Sequence, residues 1–272
     1  MTMSPLKAAL QQYQPAVVVP FDSVPEHGLT VAVVPDCQVR RDVGMEHLTA
    51  AGRYIAEKRP DVIVQIGDFA DMPSLSTHDA PGSRDAEMKR YQHDIDASHY
   101  AMDLLMDPIY AVAGYDPTLI LTLGNHEDRI TRATNANPRG PQPSLDDLAY
   151  QDWGWHVVPF LQPIVIGGVA FCHYFPSGVM GRPITSPSIL LKKLHMSAFA
   201  GHQQGRDIAY ARRADGGDLT AIISGSFYQH DESYLNPFTN KHWRGMYFLH
   251  EVKDGSFDEM ALSLNYLLRK WL

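Results

Sequence analysis

Apolar runs alternate with amphipathic stretches along the first half of the chain. Residues 29–34 and 61–66 are rich in Val and Ile, and both runs stop at polar residues, which is typical of buried strands. Between them, residues 46–59 place apolar side chains at helical spacing and end in Lys-Arg before Pro60. Because neither strand alternates with polar residues, this order predicts a right-handed parallel crossover.

The same pattern continues to about residue 136, and the second half reads mainly as strands. The further predicted elements of the first half are a helix over 83–106, a strand over 118–123, a helical turn over 127–136 and a proline-rich loop over 137–143. The predicted strands of the second half are 157–158, 163–166, 169–174, 197–200, 208–212, 219–223, 246–252 and 260–266. Gly167-Gly168 between two of them is a hairpin signal. This order predicts an α/β protein with two mixed β-sheets packed face to face and helices outside.

The chain reads as one domain with an N-terminal arm. Residues 1–28 contain four prolines and predict an irregular lead-in, so the folded domain is expected to span residues 29–272. Neither an internal repeat nor a long biased linker divides that span.

Charge and cysteine content narrow the functional classes. The net charge is −8, so no overall basic field gathers nucleic acid or anionic lipid. No apolar run approaches the roughly 18 to 20 residues that cross a bilayer, and no membrane partner is expected. Cys37 and Cys172 cannot form a disulfide framework, and the start of the chain lacks a signal-peptide pattern, so a cytoplasmic location is expected.

Polar side chains follow three predicted strands of the first half at the point where each strand ends. Asp36 follows the first strand, Asp68 the second and Asn125 the third. Because the carboxyl ends of parallel strands form the ligand crevice of an α/β sheet, these side chains are expected to converge. Their oxygen atoms suit a hard metal ion.

Two histidines end later strands in the same manner. His173 follows 169–172 and His202 follows 198–201, which adds imidazole nitrogens to the oxygen donors. Such a mixed set suits Mn, Fe, Zn or Ni, and a shared carboxylate can bridge two ions. A single Asp or His at a strand end is usually a turn former or a satisfied polar group, but five such positions in one chain favour a common site.

The ordered motifs resemble those of calcineurin-like metallophosphoesterases. The matching stretches are Asp36-x-Gln38, Gly67-Asp68-x-x-Asp71, Gly124-Asn125-His126-Glu127, His173 and Gly201-His202-x-Gln204. The resemblance implies a four-layer αββα sandwich with two divalent metal ions between the sheet edges. It further implies that Asp36 binds the first ion, that Asp68 bridges both, and that Asn125, His173 and His202 bind the second. His126 would be the catalytic histidine, held by Asp71.

Gln38 and Gln204 stand where this family usually has histidine ligands. Glutamine offers a neutral oxygen and is the weaker ligand for late transition metals, so the first site is expected to favour Mn²⁺ or Mg²⁺, or to bind weakly. Mn²⁺ is the expected cofactor, with Mg²⁺, Fe, Zn and Ni as alternatives.

The resemblance implies a metal-dependent phosphoester hydrolase, and we expect a phosphodiesterase or nuclease that uses a metal-activated water on nucleotides or nucleic acid. The alternatives are a phosphomonoesterase, including a phosphoprotein phosphatase, and a non-catalytic scaffold without the first metal. Arg129, one turn into the helix after His126, is a candidate substrate-binding residue or an ordinary surface arginine. The basic residues that could form a local rim for a nucleotide or DNA are Arg182, Lys192, Lys193, Arg206, Arg212 and Arg213.

Overall fold

The computed structural model describes residues 17–18, 24–77, 89–138, 143–232, 237 and 239–272. It is a mixed α/β structure with two six-stranded mixed sheets and one two-stranded ribbon. The α-helices are α1 Glu46–Lys58, α2 Tyr91–Tyr110, α3 Asp128–Ala136, α4 Pro187–Leu194 and α5 Leu264–Trp271. The strands are β1 Val17–Val18, β2 Leu29–Val34, β3 Val62–Gln65, β4 Thr118–Thr122, β5 His156–Val158, β6 Ile164–Ile166, β7 Val169–Cys172, β8 Pro176–Ser177, β9 Arg182–Pro183, β10 Ala198–Ala200, β11 Arg206–Arg212, β12 Asp218–Ser224, β13 Gly245–Lys253 and β14 Ser256–Ser263.

The first sheet has the order β14-β13-β2-β3-β4-β5. Strands β2 to β5 run parallel, and Val33 faces Val64 in the register of β2 with β3. The predicted parallel crossover through α1 is therefore confirmed. Strand β13 adds antiparallel to β2 and carries β14 at the edge.

The second sheet has the order β1-β6-β7-β10-β12-β11. Its central strands β7, β10 and β12 are parallel, whereas β6 and β7 form the hairpin predicted at Gly167-Gly168. Strand β1 pairs with β6 and comes from the stretch predicted as an irregular arm. Residues 1–16 and 19–23 lie outside the described residues, so the proposed domain boundary stays a prediction.

Side chains from facing sides of the two sheets share one apolar core. Val33 and Val64 of the first sheet belong to the same buried cluster as Phe171, Phe199 and Ile222 of the second. The opposite face of the first sheet packs on α1 and α2, and the opposite face of the second packs on α4. This arrangement is consistent with an α/β sandwich and explains why the strands read as continuous apolar runs.

Several elements differ from the sequence prediction, among them the unpredicted short strands β1, β8 and β9. The helix predicted over 83–106 begins at Tyr91 and continues to Tyr110 despite Pro108, while residues 78–88 lie outside the described residues. The strand predicted over 260–266 ends at Ser263, whose hydroxyl accepts a hydrogen bond from the Tyr266 N–H and caps α5. Helix α4 was not predicted, because it is only eight residues long and so shows little helical periodicity.

The remaining predictions concern the proline-rich loop and membrane crossing. Helix α3 ends at Ala136, where the predicted loop begins, and residues 139–142 of that loop lie outside the described part of the chain. No helix among the described residues combines the length and the apolar character needed to cross a membrane.

Candidate functional site

The candidate site lies where the carboxyl ends of strands from both sheets meet. Asp36, Asp68 and Asn125 follow β2, β3 and β4 of the first sheet, and His173 and His202 follow β7 and β10 of the second. The short bridge between Asp36 and Ser226, which follows β12, joins the two edges. The predicted convergence of the strand ends is therefore observed, as expected for parallel strands.

Asp68, His173 and His202 lie close enough together that they could hold a metal ion, and we call these three residues the metal-ligand group. One ligand atom from each lies within 4.8 Å of the others. Asp68 Oδ2 is 3.3 Å from His173 Nε2, and Asn125 Oδ1 lies 3.0 Å from His173 Nε2 and 2.7 Å from His202 Nδ1. One carboxylate, one amide oxygen and two imidazole nitrogens thus face a common point, which is a donor set for a divalent transition metal.

The surroundings orient the two imidazoles differently. His173 Nδ1 lies 3.0 Å from the Ile66 carbonyl, so its N–H donates there and leaves Nε2 toward Asp68 and Asn125. Burial lowers the pKa of His173, but Asp68, Asp36 and the Ile66 carbonyl together outweigh burial and raise this pKa to about 9. Burial and the neighbouring His173 lower the pKa of His202 to about 4. The raised pKa of His173 shows that the carboxylates of the first sheet attract positive charge to the place where the two sheet edges meet.

Asp36 and Gln38 lie beside this group. The Asp36 carboxylate is fully buried and accepts from the His202 backbone N–H at 3.0 and 3.2 Å. Burial raises the pKa of Asp36 to about 7. The Gln38 backbone N–H donates to the Asp68 carbonyl at 2.9 Å, and its buried side-chain oxygen Oε1 has no hydrogen-bond partner among the described residues. A buried carbonyl oxygen without a partner is costly to fold, and a cation would satisfy it.

Gln204 has a different environment from Gln38. Its Oε1 accepts a hydrogen bond of 2.6 Å from the Tyr228 hydroxyl, and Tyr228 is itself buried. The side-chain oxygen of Gln204, a ligand of the first metal according to the resemblance, is therefore already hydrogen-bonded within the protein. The corresponding oxygen of Gln38 has no partner in the described part of the chain.

Three residues of the site adopt left-handed backbone conformations. The φ angles of Gln38, Asp68 and His202 are +44°, +51° and +67°. Non-glycine residues in this region carry strain and cluster at functional sites. Gly124 makes the close approach possible, because a Cβ at that position would collide with the Asp68 carboxylate and backbone nitrogen.

His126 and Asp71 form a buried pair next to the metal-ligand group. His126 Nδ1 is 2.8 Å from Asp71 Oδ1, and His126 Nε2 is 3.7 Å from Asp68 Oδ2. Burial lowers the pKa of His126, but Asp68 and Asp71 outweigh burial and raise it. Burial raises the pKa of Asp71, yet His126 and Arg40 outweigh it and lower this pKa to about 2. The pair therefore favours a protonated imidazole beside an ionised carboxylate.

Arg40 and Glu232 extend this pair away from the site and were missed by sequence reasoning. One Arg40 nitrogen donates to Asp71 Oδ2 at 2.8 Å and to Glu232 Oε1 at 3.0 Å. This series of hydrogen bonds thus leads from His126 through Asp71 and Arg40 to the Glu232 carboxylate. Glu232 is only 4% exposed. The alternate spacing of Asp36, Gln38 and Arg40 was a weak signal for Arg40, whereas Glu232 lies in an irregular stretch with no periodic pattern.

Glu127 belongs to a predicted motif, but the sequence indicated no role for it. It is fully buried, and its carboxylate accepts from the backbone N–H groups of Asp68, Ala70 and Gly124 at 3.1, 2.9 and 2.9 Å. Glu127 therefore ties the loop after β3 to the loop after β4. Its position in Gly124-Asn125-His126-Glu127 was the signal that could have identified it.

A cavity of about 310 Å³ adjoins Asn125. Its lining residues are Thr77, Asn125, Asp128, Arg129, Arg132, Phe160 and Tyr174. Arg129 donates to the Asp71 carbonyl at 2.7 Å, and Arg132 donates to the Asn125 carbonyl at 2.8 Å. Two guanidinium groups and two aromatic rings therefore surround a small space beside the metal-ligand group, and the Asp128 carboxylate pairs with Arg132 at 3.2 Å in the same lining.

The structure brings most of the predicted site residues into one cluster connected by hydrogen bonds. Its members are Asp36, Gln38, Asp68, Asp71, Asn125, His126, Arg129, His173 and His202. No protein-family model matches this chain, and no curated protein matches it significantly. The chemistry of the site therefore has to be argued from these residues.

Proposed function

We propose that this protein is a metal-dependent phosphoester hydrolase with the four-layer αββα sandwich of the calcineurin-like metallophosphoesterases. The observation that carries the proposal is the Asp68 carboxylate. Its Oδ2 faces the metal-ligand atom Nε2 of His173 at 3.3 Å and the outer ring nitrogen Nε2 of His126 at 3.7 Å. A cation and a proton donor can therefore act on the same bound group.

The donor set fits divalent cations. Asp36, Asp68 and Gln38 would supply oxygen ligands to the first ion, and Asp68, Asn125, His173 and His202 would hold the second. The unpartnered Gln38 oxygen supports the first position, and the mixture of oxygen and imidazole donors favours Mn²⁺, with Mg²⁺, Fe, Zn or Ni as alternatives. When bound, two such ions neutralise phosphate charge and lower the pKa of a water ligand.

The remaining residues would handle the leaving group and the phosphate. Asp71 fixes His126 through Nδ1, so Nε2 can donate a proton to the departing oxygen. Arg129 and Arg132 line the adjoining cavity and offer donors to the phosphate oxygens. A cavity beside the metal-ligand group also has room for a second ester substituent, which favours a phosphodiesterase or nuclease over a phosphomonoesterase.

The test compares bis-para-nitrophenyl phosphate with the monoester in added Mn²⁺. We expect faster hydrolysis of the diester, up to two bound ions per chain by metal analysis, and a rate roughly 100-fold to 10,000-fold lower in His126→Ala. His156→Ala, at an exposed histidine on β5, is the matched control and should keep the wild-type rate. Faster monoester hydrolysis would favour the phosphatase alternative. Absence of metal binding in excess Mn²⁺ would overturn the catalytic proposal and favour a scaffold.

A further inference from the structure

An exposed apolar hairpin rises directly after the residues that line the cavity. Tyr174 lines the cavity, and the β8–β9 ribbon begins two residues later. The tip between Gly178 and Gly181 carries Val179 and Met180, which are 105% and 81% exposed. Val179 and Met180 are adjacent, so the tip presents a small exposed apolar patch.

Helix α4 joins this tip to form one surface. The Lys193 ammonium donates to the Ser177 hydroxyl at 2.8 Å, which attaches the helix to the ribbon. Ile189, Lys192 and Lys193 lie three and four residues apart, so they share the exposed side of α4. We define the hairpin–helix surface by six residues, namely Val179, Met180, Arg182, Ile189, Lys192 and Lys193.

This surface belongs to a stretch of the chain without negative charge. Residues 153–206 contain no aspartate or glutamate, although the whole protein has a net charge of −8. The basic residues of this stretch are Arg182, Lys192, Lys193 and Arg206. The segment that forms the hairpin–helix surface therefore contributes positive charge and no negative charge.

The structure also separates these cations from the other members of the predicted basic rim. Arg212 pairs with Asp218 at 3.0 Å, and Arg213 pairs with Asp215. Arg206 stacks over Trp243, 5.0 Å from the ring centroid. Arg182, Lys192 and Lys193 form no ion pair with any other described residue, so they can meet an external anion.

We propose that the hairpin–helix surface binds a nucleic-acid strand whose phosphodiester enters the candidate site. This inference rests on the proposed function. Lys and Arg contacts to successive phosphates supply affinity without sequence preference. In complexes with duplex DNA, apolar side chains including methionine insert between base steps, and Met180 at the exposed tip is a side chain of this kind.

The alternatives fit the observations less well. Two apolar side chains at a tip cover far less than the roughly 1,000 Å² that a stable protein interface needs. A lipid surface would use the same charges, but it would not account for the continuity between the ribbon and the cavity. A strand of nucleic acid accounts for both the charge and the continuity.

The test measures binding of a fluorescent single-stranded oligonucleotide in EDTA, so that cleavage does not interfere. We compare Lys192→Gln/Lys193→Gln with Arg212→Gln/Arg213→Gln, which removes the same charge from two ion-paired arginines at the end of β11. Each phosphate that the protein no longer neutralises reduces the slope of log affinity against log salt by about 0.7. The slope for the lysine variant should therefore be smaller by about 1.4, and the arginine variant should match the wild type.

The apolar tip is tested separately with Val179→Ser/Met180→Ser. This variant should bind the oligonucleotide more weakly at an unchanged salt slope, because it removes no charge. Equal slopes for the two charge variants, or full affinity in the tip variant, would overturn the proposal.

Two further measurements distinguish nucleic acid from other occupants of this surface, and failure of this inference from failure of the proposed function. The variants are also tested for binding to phosphatidylserine vesicles and for self-association in sedimentation. The proposal would be overturned if either of these depended on the six surface residues while oligonucleotide binding did not. Unchanged hydrolysis of the small diester in that case would leave the proposed function intact. Oligonucleotide binding with the expected slopes and no hydrolysis in Mn²⁺ would support the surface and contradict the proposed function.

Discussion

The two sheet edges that meet at the candidate site differ in charge. The edge of β2, β3 and β4 contributes the carboxylates of Asp36, Asp68 and Asp71, whereas the edge of β7 and β10 contributes His173 and His202. The first edge can attract and hold cations, and the second comes from a segment without acidic residues. The difference teaches how an acidic protein could still present a site to an anionic substrate: the carboxylates of the site lie on the edge that would bind metal, and bound cations would offset their charge.

Two buried histidines show the same difference in their pKa values. Burial lowers the pKa of His47 to about 4, because no carboxylate offsets the loss of water around its ring. His173 is equally buried, yet Asp68 and Asp36, with the Ile66 carbonyl, raise its pKa to about 9. The neighbouring charge, and not the degree of burial, decides the direction.

The largest expected effect comes from neutralising the acidic edge with Asp68→Asn. Asparagine keeps the shape but removes the charge that His173 and any cation face, so we expect diester hydrolysis to fall roughly 1000-fold. Calorimetric titration should show weaker Mn²⁺ binding. Asp96→Asn on the exposed side of α2 is the control. Wild-type Mn²⁺ affinity in Asp68→Asn would contradict the charge difference between the two edges.

The second-largest expected effect is a loss of stability at low pH caused by His47, a buried histidine away from the acidic edge. The unfolded chain protonates His47 below its ordinary pKa of 6.5, whereas the folded protein does so only near 4. The folded state therefore binds fewer protons in this window, and the free energy of unfolding should fall by up to roughly 3 kcal/mol as the pH drops from 6.5 to 4.

Urea unfolding at about pH 7 and about pH 4.5 measures this loss. His47→Asn keeps a side-chain N–H toward Gln229, which lies 3.1 Å from His47 Nδ1, and removes the titration. We expect the variant to lose less stability on acidification than the wild type or the exposed His156→Asn. Equal losses in all three proteins would show that burial does not hold His47 neutral.

The smallest expected effect is the difference in stability and Mn²⁺ affinity between variants of Gln38 and of Gln204. Gln38→Met removes the unpartnered buried oxygen, so the free energy of unfolding in EDTA should rise by about 1 to 2 kcal/mol. Mn²⁺ affinity should fall at the same time, because a cation ligand is removed. Gln204→Met instead deprives the Tyr228 hydroxyl of its acceptor and should lower stability by about 1 kcal/mol without changing Mn²⁺ affinity. Identical behaviour of the two variants would remove the distinction between them.

The sequence predicted the parallel strands and the place where their polar ends meet. This succeeded because buried parallel strands read as apolar runs and because their carboxyl ends share one sheet edge. Asp36, Asp68, Asn125, His173 and His202 could all be identified in this way from their positions at strand ends.

Other features depend on contacts that no local pattern encodes. Arg40 meets Glu232 across 192 positions, and Glu232 lies in an irregular stretch, so neither periodicity nor motif spacing joins them. Helix α5 begins directly after β14 with no proline or glycine between them, and only the Ser263 cap marks the change. The opposite environments of Gln38 and Gln204 depend on Tyr228, whose hydroxyl reaches Gln204 from another strand end.

The three backbone hydrogen bonds to Glu127 would affect how fast the proposed site takes up a cation. Because this buried carboxylate holds the loops after β3 and β4 together within the folded chain, Asp68 and Asn125 would need little rearrangement to bind the proposed ion. The entropy of ordering these loops is lost during folding and not during binding. Preorganisation of this kind favours rapid capture of a cation by a rigid site over slow closure of a flexible one.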